Sequence, residues 1–386
     1  MSNEAEERPE KDFGNAFFQA RMKHAYAQVS PQAVILCLFV IAVVFIPVGA
    51  ATIIATDAVY EWSGRYDNLN RCTASSNAGA ESFTAANMTV SMGCHTNLAF
   101  RLEQTLVPPI YIYYRMKGFN QNYRLYAKSF HEGQLSDSDY SVSDLGDCEP
   151  KKTPTGGSVT VGGETKAAGD MAYAPCGQVA WSMFNDTISL YRIPDEATAA
   201  TISANTAVLP TTVTAVCVGD AFSRETNQPT SATNCVKDGI AFSQDISTRF
   251  KANPSSSGTT WTGKGYTGVT NNDFFANGYY NDEVGHRLPI ITDQDFMVWS
   301  RIAPLADFRK AYRKITVGLE RGLYLWRILE RFDTTSMGAE KYAVLATTAW
   351  IGTKNPTLGA LYLTMGSISL VLAFGFVGMY IARSKE

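Results

Sequence analysis

The chain has 386 residues, a formal net charge of −3 at neutral pH, and 18% charged and 12% aromatic residues. This composition is typical of a folded protein and excludes an intrinsically disordered one. The charge balance and the lack of a basic run argue against a broad nucleic-acid-binding surface.

The first 32 residues are polar, and residues 1–12 are mostly acidic or uncharged polar. From Phe13 to Val29, apolar residues recur near helical spacing, with basic residues between them. This pattern predicts a short helix on the cytosolic face of a membrane, and an unstructured tail is the alternative.

Two apolar runs, residues 33–55 and 358–382, contain no Asp, Glu, Lys, Arg or His. Each can cross the roughly 30 Å hydrocarbon core as a helix, which needs about 20 residues. A cleavable signal peptide is the alternative for the first run, but such peptides have apolar stretches of only about 7–15 residues. We therefore predict a membrane protein in which two transmembrane helices flank an ectodomain formed by residues 56–357.

Basic residues flank the outer ends of both runs and favour a cytosolic location for residues 1–32 and 383–386, so both termini are expected in the cytosol. The cysteines support this orientation. Cys37 lies in the first run, and the other six lie in the ectodomain. An even number outside the membrane indicates disulfides formed in an oxidising compartment. Fifteen pairings exist in principle, and the spacing favours three local ones: Cys72–Cys94, Cys148–Cys176 and Cys217–Cys235.

Two glycosylation sequons lie in the same segment, at Asn87 and Asn185. Such a pattern arises often by chance, but a lumenal location makes both asparagines candidates for glycosylation. No zinc site is expected, because the sequence has no CxxC and no set of Cys and His residues at the spacing of zinc ligands.

Hydrophobic patterning predicts the elements of the ectodomain in chain order. We expect strands at 108–114, 180–191, 295–300, 323–332 and 342–350, and helices at 119–128 and 304–315. Residues 149–175 and 253–272 are rich in small polar residues and predict flexible loops, and residues 194–234 predict an inserted β-hairpin or decoration. The ectodomain is therefore expected to be mainly β, with a few short helices.

Motifs of known catalytic chemistry are missing from the sequence: it has no GxSxG, HExxH, GxxxxGK[ST] or GxGxxG opening a helix. The acidic pairs Asp293/Asp295 and Asp282/Glu283 are expected to be solvated loop residues or turn formers, since nothing selects them as a catalytic pair. The two spans carry no charge for an ion or proton pathway. Two helices cannot enclose a solute path, so the layout suits a protein that holds or escorts another membrane protein, with no enzyme activity or cofactor of its own.

Several segments together resemble the Cdc50/Lem3 family, the non-catalytic β-subunits of P4-ATPase lipid flippases. In the family's order they are residues 108–114 (PPIYIYY), 119–126 (FNQNYRLY), 175–187 (PCGQVAWSMFNDT), 239–242 (GIAF), 295–299 (DFMVW), 308–310 (FRK) and 350–359 (WIGTKNPTLG). The PCGQVAWSMFNDT segment is highly specific, and together the segments cover nearly all of the ectodomain.

The resemblance implies a largely antiparallel β ectodomain and two spans that pack beside a P4-ATPase catalytic subunit in a heterodimer within membrane lipids. It implies a role in exporting the ATPase from the endoplasmic reticulum and in its phospholipid transport cycle, at the endoplasmic reticulum, Golgi, endosome or plasma membrane. The family's glycosylation motif corresponds to Asn185, and its paired cysteines resemble Cys72–Cys94 and Cys148–Cys176.

The chain departs from the family pattern in the long segments 151–173 and 195–235, the second of which adds Cys217 and Cys235. Residues 18–22 follow the cytosolic pattern only in part. The alternative hypothesis is an independent two-span surface glycoprotein that acts as a receptor or adhesion module.

Overall fold

The computed structural model describes most of the chain outside the N-terminal segment: residues 30–69, 81–85, 88–136, 142–153, 158–161, 164–167, 172–173, 175–251, 275–276, 279–280, 289–334 and 337–385. The predicted helix at 13–29, the loop at 253–272, the acidic pair Asp282/Glu283, and Cys72 and Asn87 lie outside these residues. The chain forms two compact units, one with two long helices and one formed by residues 55–354.

The helical unit consists of α1 (Pro31–Asp57) and α7 (Thr357–Arg383). Both helices are long and apolar enough to cross a membrane. They pack closely at Gly49, where a β-carbon would lie only 2.8 Å from Leu363 Cγ. Edge-to-face ring contacts extend this seam, with Phe39 on Phe374 at 5.5 Å and Phe45 on Tyr362 at 5.2 Å between centroids. The other faces of both helices are exposed apolar surface.

The second unit is built around two antiparallel five-stranded sheets. Sheet 1 has the order β1-β14-β4-β12-β9, with β1 (Glu61–Arg65), β4 (Ile110–Lys117), β9 (Cys235–Val236), β12 (Asp307–Ile315) and β14 (Glu340–Thr347). Sheet 2 has the order β2-β3-β13-β7-β8, with β2 (Glu81–Ala85), β3 (Met88–Leu102), β7 (Thr187–Ile193), β8 (Thr214–Cys217) and β13 (Gly322–Glu330).

Short elements connect and decorate the sheets. Two hairpins pair β5 (Ser158–Val161) with β6 (Glu164–Ala167) and β10 (Phe275–Ala276) with β11 (Tyr279–Tyr280). The short helices are α2 (Arg124–Lys128), α3 (Glu132–Leu135), α4 (Gln178–Trp181), α5 (Glu196–Ala200) and α6 (Gln294–Ser300), with 3₁₀ turns at Val142–Asp144 and Gly146–Cys148 and a π-helical turn at Asp245–Arg249. The predicted fold class, two apolar terminal helices around a mainly antiparallel β domain, is confirmed.

The two sheets share one hydrophobic core. Strand β4 alternates strictly between buried and half-buried residues, as expected for a strand with one face on the core. Trp62 of β1 stacks on Phe100 of β3 with 4.2 Å between ring centroids, and Trp326 of β13 is fully buried beside them. Aromatic rings from both sheets therefore fill the space between them.

Two predicted elements in the last third of the chain are wrong: the predicted helix is a strand, and the predicted strand is a helix. Residues 304–315 were expected to form an amphipathic helix but contain β12, which pairs with β4 along its whole length. Residues 295–300 were expected to form a strand but belong to α6, whose first turn is capped by the Asp293 side chain. Apolar spacing is ambiguous over such short runs, and pairing with a distant strand decides the outcome.

The remaining predictions are right in part. The strands expected at 108–114, 323–332 and 342–350 correspond to β4, β13 and β14. The helix expected at 119–128 is confined to α2, and the strand expected at 180–191 begins only at β7, after the helical turn α4. The loop expected at 149–175 contains the β5–β6 hairpin.

The predicted insertion at 194–234 is not a hairpin of its own. Its strand β8 extends sheet 2 by pairing with β7, and the strand that follows it, β9, extends sheet 1 by pairing with β12. A disulfide between Cys217 and Cys235 joins these two edge strands, with 5.4 Å between the Cα atoms. The bond therefore ties one sheet to the other.

We expect the double variant Cys217→Ala/Cys235→Ala to lower the free energy of unfolding by about 3 kcal/mol, because it releases a loop of roughly 18 residues in the unfolded chain. Urea unfolding of the purified protein, followed by tryptophan fluorescence, measures the change. Cys37→Ala, at an exposed free cysteine, is the control. Equal midpoints for the double variant and the control would show that the bond does not stabilise the fold.

Candidate functional site

Residues 175–187, the segment PCGQVAWSMFNDT, run through the hydrophobic core, and most of them are buried. Cys176 is bonded to Cys148, with 5.6 Å between their Cα atoms. Gly177 has φ +97°, and a β-carbon there would lie 2.1 Å from the Ser129 carbonyl oxygen, so only glycine fits. Farther along, the Phe184 ring stacks on Tyr114 of β4 at 3.9 Å. The segment thus holds α4 and the start of β7 against both sheets.

Asn185, the predicted glycosylation site, is only 5% exposed. Its side chain lines a cavity of about 50 Å³. A glycan is much larger than this cavity, so a glycosylated Asn185 requires its side chain to turn outward from this buried position. Glycosylation of Asn185 stays a prediction.

Asp186, the middle residue of the same sequon, anchors a buried charged cluster between the sheets. Its carboxylate accepts hydrogen bonds from the Tyr66 hydroxyl at 2.7 Å and from Lys341 Nζ of β14 at 2.7 Å. The backbone N–H groups of Arg331 and Phe332 donate to its other oxygen at 2.6 and 2.7 Å. Four donors therefore replace the water that this carboxylate loses on burial.

Glu330 of β13 is the second carboxylate of this cluster. It accepts a hydrogen bond from the Thr96 hydroxyl, and its Oε2 lies 3.4 Å from Lys341 Nζ. Burial raises the pKa of Glu330 to about 7, against the lowering effect of Lys341. One lysine thus faces two carboxylates, and Asp186 lies closer to it.

A second buried network surrounds the N-terminus of α6. Asp293 accepts from Lys237 Nζ at 2.6 Å and from Arg224 Nε at 3.2 Å. Asp295 pairs with Arg313 of β12 at 2.7 Å and with Lys237 at 3.2 Å. Burial opposes the ionisation of Asp295, but Arg313 and Lys237 outweigh it and lower the pKa of Asp295 to about 2. The expectation that Asp293 and Asp295 are solvated is wrong, because both carboxylates are held inside this network. Asp293 does form a turn, since its backbone N–H donates to the Ile290 carbonyl just before α6.

The C-terminal end of α6 is held by the same strand. Lys310 of β12 donates from Nζ to the carbonyl oxygens of Val298, Trp299 and Arg301. These are terminal helix carbonyls, which a lysine satisfies well. Burial lowers the pKa of Lys310 to about 7. Strand β12 therefore binds α6 at both ends, through Arg313 and Lys310.

These networks were not predicted from the sequence, because a charged residue in a sequence carries no sign of its burial. Lys310 and Asp295 lie in segments that resemble the family, and this resemblance was the one available signal.

Three aromatic side chains in the segments that resemble the family differ in burial. Trp299 is fully buried, whereas Tyr111 and Tyr113 are half-buried. Like Cys148, Cys176, Cys217 and Cys235, Cys94 forms a disulfide bond.

The buried charges are paired with each other and with backbone groups, an arrangement that fixes packing. Across the described ranges, no three His, Cys, Asp or Glu side chains are grouped to hold a metal ion. The charged groups described above therefore connect the two sheets and hold α6 against β12.

The chain is similar to known proteins over most of its length. The family model described as "LEM3 (ligand-effect modulator 3) family / CDC50 family" matches residues 52–386. ALA-interacting subunit 3 of Arabidopsis thaliana is 28% identical over 377 residues, which cover 96% of this chain and 86% of that protein. Cell cycle control protein 50A of Bos taurus is 26% identical over 364 residues, or 92% of this chain and 85% of that protein. Cell cycle control protein 50B of Homo sapiens is 25% identical over 299 residues, or 76% and 72%.

We expect Glu330→Gln to remove a pH dependence of stability. The folded-state pKa of about 7 exceeds the unfolded value, so the contribution of Glu330 is complete at low pH and is lost as the pH rises through 7. Between about pH 5.5 and about pH 7.5, the free energy of unfolding of the native protein should fall relative to the variant by on the order of 1–2 kcal/mol.

Urea unfolding at the two pH values measures this difference. Glu340→Gln is the control, because hydrogen bonds from Tyr342 and Lys117 lower the pKa of Glu340, which stays ionised over this range. Parallel pH profiles for the native protein and Glu330→Gln would contradict the prediction.

Proposed function

This chain belongs to the CDC50/LEM3 family, and we propose that it is the accessory subunit of a P4-ATPase phospholipid flippase. The family match over residues 52–386 carries this proposal, because it includes the second apolar helix and the whole β unit. The relatives named ALA-interacting subunits support a role defined by binding to another protein.

In the proposed topology, residues 33–55 and 358–382 cross the membrane, residues 56–357 lie in the lumen or outside the cell, and residues 1–32 and 383–386 lie in the cytosol. The packed pair α1 and α7 and the disulfides Cys148–Cys176 and Cys217–Cys235 support this arrangement. The protein then resides in the endoplasmic reticulum, Golgi, endosome or plasma membrane.

ATP hydrolysis and lipid movement belong to the partner ATPase in this proposal, and this chain is non-catalytic. Uncharged spans offer no pathway for an ion or a lipid headgroup. The accessory subunit escorts the ATPase out of the endoplasmic reticulum and stays bound in a heterodimer. There its β unit stabilises particular conformations of the transport cycle by binding them more tightly than others.

Such a subunit needs a rigid binding surface, and ion pairs and a disulfide restrain the β unit. Buried ion pairs connect β12 to α6 and the Asp186 loop to β14, and a disulfide connects the outer strands of the two sheets. A rigid surface loses little conformational entropy when it binds, so more of its contact energy appears as affinity.

Affinity purification of the tagged full-length chain from native membranes tests the proposal. We expect a large P4-ATPase as the main co-purifying protein, in a one-to-one ratio by quantitative mass spectrometry. A chain that purifies alone and reaches the cell surface without such a partner would support a surface glycoprotein of the receptor or adhesion type and would contradict the proposal.

Removal of the Cys148–Cys176 bond should retain the complex in the endoplasmic reticulum. Both cysteines are buried, and the bond attaches the 175–187 segment to Cys148, so Cys148→Ser leaves this segment less stable and the folding of the β unit incomplete. Fluorescence microscopy of the tagged ATPase measures its delivery, with Cys37→Ser as the matched control. Equal delivery of the ATPase with both variants would exclude this role of the bond.

A further inference from the structure

Three loops of the β unit meet at the end of sheet 1 to which both long helices are joined. β1 begins three residues after α1 ends, and nine residues connect the end of β14 to α7. β4 begins and β12 ends at the same end of the sheet, because Ile110 pairs with both Thr347 and Ile315. The loops at this end, here called the proximal loops, are residues 103–109, 316–321 and 348–356.

The covalent chain limits how far these loops can lie from a membrane that contains α1. Asp57, the last residue of α1, and Glu61, the first of β1, are four Cα steps apart, so at most about 14 Å separates them. Adjacent strands lie about 4.8 Å apart, so the loop after β12 begins only about 10 Å to the side of the end of β14. The lipid headgroups are therefore within reach of all three loops.

Two of the proximal loops present apolar side chains that the core does not cover. Leu106 and Leu319 exchange backbone hydrogen bonds at 2.8 and 3.0 Å, and both side chains are buried. Their neighbours point away from the core: Val107 is 74% exposed and Val317 is 38% exposed. The two prolines after Val107 are exposed as well. A group of exposed apolar residues on adjoining loops indicates a contact surface.

The third proximal loop presents a tryptophan. Trp350 is 79% exposed and lies seven residues before α7 begins. Ala349 and Gly352 exchange backbone hydrogen bonds at 2.8 and 2.9 Å, so Trp350 lies at the tip of a tight turn. The next residue, Thr353, accepts a hydrogen bond from Arg309 of β12 at 2.6 Å, which ties the base of the turn to sheet 1. Tryptophan is enriched where a membrane meets water, because its ring is apolar and its N–H is polar.

The charges of the proximal loops suit a zwitterionic surface. Each carboxylate of these loops lies next to an arginine, Glu103 at 3.9 Å from Arg321 and Glu320 at 2.7 Å from Arg192. No unpaired acid therefore opposes contact with lipid phosphates. Lys354 is exposed between Trp350 and α7, where a lysine can keep its ammonium group among the phosphates.

We propose that the proximal loops lie in the headgroup region of the lumenal leaflet, with Trp350 and Val107 at its boundary with the acyl chains. The occupant of this surface is the lipid bilayer, and the contact sets the tilt of the β unit above the membrane. This inference rests on the membrane topology given under the proposed function, but it requires no bound ATPase.

Tryptophan fluorescence tests the position of Trp350. The apolar runs 33–55 and 358–382 contain no tryptophan, so they contribute no such signal. The full-length chain is reconstituted into phosphatidylcholine vesicles with or without bromine atoms high on the acyl chains. We expect brominated lipid to lower the emission by about one sixth, since Trp350 is one of six tryptophans. Trp350→Phe should abolish this loss, and Trp261→Phe, in the sequence-predicted loop 253–272, should keep it.

A nitroxide spin label tests the neighbouring loop. Val107→Cys carries the label in a Cys37→Ala background, in the same vesicles. Leu305→Cys is the matched control, because Leu305 is 68% exposed and precedes β12 at the opposite end of sheet 1. By electron paramagnetic resonance, the label at position 107 should collide more with oxygen than with a water-soluble nickel chelate, and the label at position 305 should do the reverse. Unchanged circular dichroism shows that the variants are folded.

The outcomes separate this inference from the proposed function. Equal bromine-dependent losses in the native chain and Trp350→Phe would overturn it, and so would a label at position 107 that meets the nickel chelate as freely as the label at position 305. Protection of position 107 from both reagents would also overturn it, because protein would then cover the loop. A chain that shows both lipid signals but recovers no ATPase would contradict the proposed function and leave this inference standing.

Discussion

The pairing of β1 with β14 is the constraint on which the β unit depends. β1 follows α1 after three residues, and β14 precedes α7, so the ends of a segment of about 300 residues meet as antiparallel neighbours from Glu61↔Ala346 to Arg65↔Tyr342. Arg309 reinforces the closure by binding both Glu61 and Thr353. Within the helical unit, α1 and α7 are held together by their close packing at Gly49.

Buried charges define how the two sheets meet. Ion pairs inside a protein add little net stability, since desolvation cancels most of the attraction, but loss of one partner costs about 3–5 kcal/mol. The ion pair between Lys341 and Asp186 therefore adds little stability. It selects one packing of the two sheets, in which β14 faces the loop before β7. Arg313 and Lys310 act in the same way on α6.

The sequence alone predicted the class of protein, its two apolar helices and several strands of its β unit. Uncharged apolar runs of more than 20 residues are typical of transmembrane helices. β4 alternates strongly, and β13 and β14 are rich in the apolar and aromatic residues that strands prefer. The exchange of α6 and β12 was beyond local patterning, because β12 is set by its pairing with β4, which lies far away in the chain. Burial of Asp293, Asp295 and Asp186 was missed because their partners are distant in the chain, and family resemblance pointed to the segments of Asp295 and Asp186 without giving their roles.

Membrane topology is the claim on which the function depends, and protease digestion of sealed endoplasmic reticulum vesicles tests it most directly. We expect a protease added outside the vesicles to leave a protected fragment that contains the β unit and both spans, and to remove epitope tags placed at either terminus. Digestion of the β unit in intact vesicles, with the vesicle lumen verified as sealed by a resident marker, would contradict a lumenal domain and with it the accessory-subunit function.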